Sequence, residues 1–324
     1  MAALPASAKP RILVDAGDGV PSRGDVHGII GLAQHVAHRL EGEYHYVDKA
    51  VLADMFPAIQ GYRQQFAAYN KTHPTADIVF KSSHTSFCDL DYGPQAVSFC
   101  AADNEHYLKR YMPGESSGLV PHHVTQDTLK TAGAAFNTQH PDLQRPLIAV
   151  MVAESAYTRA FVRKLDELCR DMKGGTIFVC TSWRTSDETY EALMRDLNQT
   201  FQSSSSYDMK VTGYHLNGNQ NGGNINPYTG LVAEADHLCL IGHSRSMISE
   251  MLMSGKAVHT YGQKYPQLEK SGMTIDLLSL AADARLESHE IDPPDITARL
   301  AEAIVEEYKK KRLQLPLAHH QLQI

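Results

Sequence analysis

The feature that most constrains this chain is a regular alternation of short apolar runs with helix-spaced segments after residue 147. Leu147–Val152, Thr176–Cys180, Lys210–Tyr214, His237–Ile241 and Ala257–Tyr261 read as strands. Between them, Tyr157–Met172, Ser186–Asn198 and Tyr228–Glu234 read as helices. Strands alternating with helices in this way build parallel sheets from β-α-β units. The same pattern, less clean, precedes residue 147. Arg11–Asp15, Tyr44–Val47 and Asp77–Phe80 are strand-like, His27–Leu40 is a helix, and Val51–Tyr69 is mostly helical with a break at Pro57. The stretch Ser82–His140 is less regular and rich in His and Gly. The expected fold is α/β, with two Rossmann-like domains facing a cleft. The pattern changes near Asp142–Pro146, which predicts domains 1–143 and 144–292, and a helix and tail over 293–324 crossing back toward the first. Ligands of such folds gather outside the carboxyl ends of the strands.

Composition narrows the function classes. At 324 residues the chain has room for two domains. A net charge of -7 gives no reason to expect general nucleic-acid binding. Five cysteines lie far apart with no C-x-x-C, and read as small buried hydrophobes in a reducing compartment. Met1–Pro10 lacks a signal-peptide pattern, and no apolar run reaches the roughly 20 residues of a membrane span. The expected location is cytoplasmic. The last helix, Asp295–Arg312, ends in Lys309-Lys-Lys-Arg312, which matches the helix dipole and leaves a weak peripheral contact with anionic lipid open.

Three loops carry candidate chemistry. The first follows the strand ending at Ile241. Ser244 or Ser246 caps a short helix there, Met247, Ile248, Met251 and Leu252 share one face, and Gly255 ends it in a left-handed turn. Free amides beside Ser244 and Ser246 suit a phosphate or ribose. Glu250 sits one residue too late for a capping box with Ser246, so it has no local duty and is free to face a ligand; the bland alternative is a solvated Glu. The second loop is Thr181–Glu188. Thr185 and Glu188 have capping-box spacing, and Ser182, Arg184 and helix amides together suit a diphosphate. The third is Asp15–Gly28, a Gly-rich loop after the first strand that is neither G-x-G-x-x-G nor a P-loop. It offers Asp18, Ser22, Arg23, Asp25 and His27, from which a general base could come. Asn217–Asn226, rich in Asn and Gly, reads as a loop at the cleft mouth or a plain connection. His84 and Pro121-His122-His123 lack zinc-type spacing, so no metal is expected.

These segments resemble a known family. Thr181-Ser-Trp-Arg-Thr185, Asn226-Pro-Tyr228, Ala235-Asp236 and Gly242–Glu250 with Ser254-Gly-Lys256 resemble, in order, the motifs of the elongated-mitochondria family. That family of predicted glycosyltransferases is named for a plant mitochondrial-fission protein. Pro121–His123 and Thr131–Asn137 resemble its middle segment, and Gly24–Ala33 its Gly-rich start. The chain departs from the pattern at Asp25 (His in the family), Gly28 (Gln), Ala153-Glu154 (Gly-Gly) and Trp183 (Arg).

The resemblance implies a GT-B architecture whose C-terminal domain binds a nucleotide-sugar. The Ser-Met-x-Ser-Glu helix also resembles the donor-site helix of GT-B enzymes such as the peptidoglycan N-acetylglucosaminyltransferase. It implies that Glu250 takes the ribose hydroxyls and that Ser244, Ser246 and Met247 take the phosphate side, with Ser182, Arg184 and Thr185 beside them. Asp25 becomes the preferred base with His27 in reserve, and Gly24 and Asn226 line the cleft loops. The implied activity is metal-independent sugar transfer to a glycan, lipid or protein acceptor, with no cofactor beyond the nucleotide-sugar. The alternative is a non-catalytic interaction protein on the same scaffold, recruiting a partner to an organelle or membrane.

Overall fold

The structure is a computed structural model that describes residues 9–16, 23–47, 64, 68, 76–81, 96–100, 104–115, 117–155, 159–202, 208–216 and 226–314. Contacts divide the chain into two units. The first comprises Met1–Glu115, Val120–His123 and Asp295–Ile324; the second comprises Ser116–Leu119 and Val124–Pro294.

The first unit contains β1 (Arg11–Asp15), α1 (Arg23–Leu40), β2 (Glu43–Val47), β3 (Ile78–Lys81), β4 (Val97–Cys100) and α2 (Asn104–Tyr111). Its sheet has the order β2-β1-β3-β4, with every pairing parallel. Ile12, Val14, Ile78, Val79 and Phe80 are fully enclosed, and Ile29, Leu32, Ala33 and Val36 of α1 supply the matching helical face. β4 was not anticipated, because Val-Ser-Phe-Cys is short and lies in the irregular stretch. Most of the expected helix Val51–Tyr69 and all of His84 lie outside the described residues.

The second unit runs α3 (Gln126–Gln139), β5 (Leu147–Val152), α4 (Arg159–Cys169), β6 (Gly174–Thr181), α5 (Asp187–Leu197), β7 (Asp208–Tyr214), α6 (Tyr228–Glu234), β8 (His237–Ile241), α7 (Arg245–Leu252), β9 (Val258–Tyr261), α8 (Pro266–Lys270) and β10 (Thr274–Asp276). The strand order is β10-β9-β8-β5-β6-β7, again all parallel. Every residue of β5 is buried, as a central strand covered on both faces requires. β7 at the edge instead alternates at its start, with Asp208 and Lys210 exposed and Met209 and Val211 buried. Phe161, Val162, Leu165, Leu168 and Cys169 form the apolar face of α4 and pack with Ile148, Val150 and Val152 in one core.

The expected domain boundary at 143/144 falls after α3, whereas the contacts divide the chain before it. The reason is close helix packing: a methyl on Gly230 of α6 would lie 2.5 Å from Cβ of Phe136. Only a glycine lets the two helices approach that far. Gln126 adds a hydrogen bond from its side-chain amide to the Met253 carbonyl at 2.7 Å. The final helix, α9 (Ile296–Gln314), packs on α1 in the first unit. Ile296, Leu300, Ala301, Ile304, Val305 and Tyr308 form its buried seam, and the Asp295 carboxylate accepts the Ala298 amide at 2.8 Å. Among the described residues no helix is long and apolar enough to cross a membrane.

Candidate functional site

The second sheet grows outward from β5 in both directions, to β6 and β7 on one side and to β8 on the other. A crevice forms at such a switch point, outside the carboxyl ends of the strands. The loops after β5, β6 and β8 meet there.

The β6 loop is held from below. The Ser182 hydroxyl donates to the Ala153 carbonyl at 2.6 Å and accepts the Arg184 amide at 3.1 Å. Thr185 is fully buried, and its hydroxyl donates to the Val152 carbonyl at 3.0 Å. Thr185 therefore locks the loop instead of presenting an oxygen. That also corrects the expected Thr185–Glu188 capping box: the N-cap of α5 is Ser186, whose hydroxyl accepts from the Thr189 amide. Arg184 is exposed, and its guanidinium reaches across to donate to the His243 carbonyl at 3.0 Å. Trp183 beside it is 48% exposed.

The β8 loop is equally ordered. Gly242 has φ +82, and a Cβ there would lie 2.7 Å from Cγ of Glu154. Glu154, from the β5 loop, accepts the His243 amide on Oε1 at 2.9 Å. The Ser244 amide donates to the Tyr265 hydroxyl at 3.3 Å, and the His243 ring stacks parallel to Tyr265. Ser244 is the N-cap of α7, accepting from the Met247 amide at 3.3 Å, and its hydroxyl lies 3.3 Å from that of Ser246. Met247 faces the core with Ile248, Met251 and Leu252, so its contribution to the loop is its capped amide. Gly255 takes a left-handed φ of +75 after the helix, as its position predicted.

Glu250 is neither solvated nor unengaged. It is buried on α7 and hydrogen-bonded to the Tyr228 hydroxyl of α6. Burial pushes its carboxyl up to about 7, against the lowering effect of that hydrogen bond. Tyr228 is in turn pushed well above the usual phenol range, by burial first and then by Glu250. Asn226 precedes Pro227, the N-cap of α6, and its side-chain carbonyl accepts the Tyr228 amide at 3.0 Å.

In the first unit, Gly24 and Asp25 lie in the first turn of α1; the Asp25 side chain, with Asp18 and Ser22, lies outside the described residues. His27 is half-buried, its ring meeting that of His123 edge-on with centroids 4.3 Å apart. Burial lowers the His123 pKa.

Sequence reasoning missed several partners. Glu154 and Tyr265 bind the amides around α7, and Tyr228 binds Glu250. A further chain runs behind the β6 loop from buried Thr181 and His215 to the exposed Asp187: Thr181 Oγ1 is 2.8 Å from His215 Nδ1, and His215 Nε2 is 2.7 Å from Asp187 Oδ1. Thr181 Oγ1 also accepts the Leu216 amide at 3.1 Å. Tyr190 stacks flat on His215. The one available signal was position, since Glu154 and Thr181 both stand at the carboxyl ends of apolar runs.

The family described as Mitochondrial fission ELM1 matches residues 116–308. None of the curated proteins compared with it matches this chain. Among solved structures, the chain is similar to MurG of Acinetobacter baumannii at 10% identity and a TM-score of 0.41, covering 94% of this chain and 95% of that one. It is similar to Anabaena HepE, solved in complex with UDP and glucose, at 10% identity and a TM-score of 0.39, covering 93% and 91%. It is also similar to a structure addressing EarP-mediated arginine glycosylation of elongation factor EF-P, at 13% identity and a TM-score of 0.39, covering 95% of each chain.

Proposed function

Since this chain belongs to the mitochondrial fission ELM1 family, we propose that it is a metal-independent glycosyltransferase of GT-B type that takes a nucleotide-sugar donor at the carboxyl edge of the second sheet. The observation that supports this reading most is the bridge from Arg184 to the His243 carbonyl, which joins two loops at the switch point. It sets a guanidinium, the Ser246 hydroxyl and the start of α7 along one edge, the equipment a diphosphate requires, while Ser182, its proton given to the Ala153 carbonyl, orders the loop that carries Arg184. Ser244 and Met247 shape that helix start through the cap, Thr185 fixes the loop from below, and Glu250 takes the ribose hydroxyls. Asn226 orders the chain that enters α6. On the acceptor side Asp25 is the base, with His27 in reserve and Gly24 in the same turn. The substrates are a nucleotide-sugar and a glycan, lipid or protein acceptor, and no further cofactor takes part. The place of action is cytoplasmic. A lipid contact through Lys309–Arg312 is the less supported part, because Lys309, Lys311 and Arg312 are already engaged by Glu306, Glu307 and Tyr308 of their own helix.

The test is thermal protection by a panel of nucleoside diphosphates, followed by product analysis with the matching nucleotide-sugars. The reading expects one nucleotide to raise the melting temperature and its sugar conjugate to release the diphosphate. Absence of binding to every nucleotide in millimolar calorimetry would sink it. One observation favours the second reading, a non-catalytic interaction protein on the same fold: Glu154 already places a carboxylate on the His243 amide. That reading expects no protection by any nucleotide, and fold alone does not decide between the two.

A further inference from the structure

We propose that Glu154 is a specificity-determining residue, an internal carboxylate that holds the amide a ligand phosphate would take, so that a diphosphate enters this edge only by displacing it. The inference rests on the donor-site reading given above.

The geometry at the start of α7 carries it. Three amides of the turn are satisfied from within: His243 by Glu154 Oε1 at 2.9 Å, Ser244 by the Tyr265 hydroxyl at 3.3 Å and Met247 by the Ser244 hydroxyl at 3.3 Å. Of these three acceptors only Glu154 is a carboxylate. Its chain packs into the space a side chain at 242 would fill, since a Cβ there would lie 2.7 Å from Glu154 Cγ. The left-handed φ of +82 at Gly242 turns the His243 amide toward that carboxylate. Glu154 therefore occupies a fitted position.

The charges around it give the fit a consequence. Glu154, Arg245 and Arg184 all act on the Tyr265 hydroxyl, so two guanidinium groups and one carboxylate share this corner. The carboxylate offsets part of the cationic field that would draw a phosphate, and it repels a second anion brought against the same amide. Glu154 is half-buried and leaves from the end of β5, while His243 is exposed. The carboxylate can therefore swing off its amide toward water without unpacking the core. A ligand pays for that displacement in proportion to its charge at this point. A bare nucleoside does not compete for the amide and is indifferent to Glu154.

The experiment measures binding to wild type, E154Q and E154A by calorimetry. Fluorescence of Trp183, the only tryptophan of the chain and the neighbour of Arg184, follows the same titrations. The probes are the four ribonucleoside diphosphates, inorganic pyrophosphate and the parent nucleosides. E154Q keeps an acceptor for the His243 amide and removes only the charge; E154A clears the position and serves if the amide variant fails to fold. The expected result is pyrophosphate and diphosphate binding at least about tenfold tighter in both variants, the scale of one charge-assisted contact, with nucleoside binding unchanged. Diphosphates that bind wild type and both variants equally overturn the role of Glu154 and leave the donor site standing. An equal gain for nucleosides and diphosphates also overturns it, because that is a steric effect. If no phosphate compound binds any of the three proteins, the donor-site reading falls and takes this inference with it.

Discussion

The carboxyl group of Glu250 and the hydroxyl of Tyr228 are hydrogen-bonded to each other inside the second unit, one from α7 and the other from the start of α6. The pair ties the helix that follows β8 to the helix that precedes it. Burial, opposed by that hydrogen bond, raises the Glu250 pKa to about 7, so its charge changes over the ordinary working range.

Glu250 is the first test of this arrangement. Its folded pKa of about 7 lies above the 4.5 of an ordinary Glu, so the folded state holds the proton more tightly. Its contribution to stability is complete below pH 4.5 and is lost as pH rises through 7. Full ionisation at pH 8 costs on the order of 3 kcal/mol relative to the neutral form. Glu250→Gln mimics the neutral form, so the variant should gain stability over wild type between pH 6 and 8 and match it near pH 4.5. Urea unfolding at those three pH values measures this. In the same variant, nucleotide binding should weaken by about 1–3 kcal/mol, the value of a hydrogen bond to a charged group. A variant less stable at pH 8 would show that Glu250 is ionised and paired in the fold.

His259 gives a second pH effect of opposite sense. It lies in β9, 1% exposed, and burial with the neighbouring His237 lowers its pKa to about 4. The unfolded chain binds the proton from 6.5 downward while the folded chain resists it. Stability is therefore complete above pH 6.5 and falls as pH drops toward 4, by up to about 3 kcal/mol for this one ring. His259→Gln keeps a donor without a titrating group, and should flatten the stability profile between pH 4 and 6.5. An unaltered acid slope in the variant would assign the loss to other groups.

Much of the fold was legible because burial on both faces writes itself into sequence. β5 is an unbroken apolar run, β6 and β8 carry apolar runs over residues 177–180 and 238–241, and α7 announces its face through Met247, Ile248, Met251 and Leu252 and its exit through Gly255. Local signals failed where a distant group decided the outcome. Thr185 has capping-box spacing with Glu188, yet the Val152 carbonyl claims its hydroxyl and the cap moves to Ser186. The spacing of Glu250 says only that it lacks a local partner; the partner, Tyr228, comes from another helix. α3 reads as part of the first unit until Gly230 and Phe136 bring it against α6. The loops at 182–184 and 242–246 were singled out from sequence, but the Glu154 link between β5 and β8 exists only once the strand order is known.

Gly242 offers a structural test of that link. Alanine there suffers twice: its φ of +82 is strained for any residue with a Cβ, and the new methyl meets Glu154 Cγ at 2.7 Å. The combined cost of Gly242→Ala should be about 2–4 kcal/mol. In a Glu154→Ala background the steric part disappears and only the backbone part, about 1 kcal/mol, should remain. A double-mutant cycle in urea measures the difference. Equal costs in both backgrounds would mean that Glu154 does not fill the space beside Gly242.

In the transfer proposed above, the base comes from the first unit. Inverting transfer needs a base that accepts the proton of the acceptor hydroxyl as the sugar moves. Asp25 lies in the first turn of α1, at the carboxyl end of β1, where ligands of a parallel sheet gather and where the helix dipole favours an anionic carboxylate. His27 stands one residue beyond Val26, held edge-on against His123. Asp25→Asn keeps the size and hydrogen-bonding reach of the side chain but cannot take the proton. Transfer should fall by about 100-fold or more, the usual contribution of a general base. Nucleotide affinity should stay at the wild-type value, because the donor loops belong to the second unit. His27→Ala should show a smaller loss, or take over the defect if His27 is the base. Product formation under single-turnover conditions, measured beside nucleotide binding in each variant, separates these outcomes. Wild-type transfer rates in both variants would remove this loop from the mechanism and point to a retaining enzyme or to a base elsewhere in the chain.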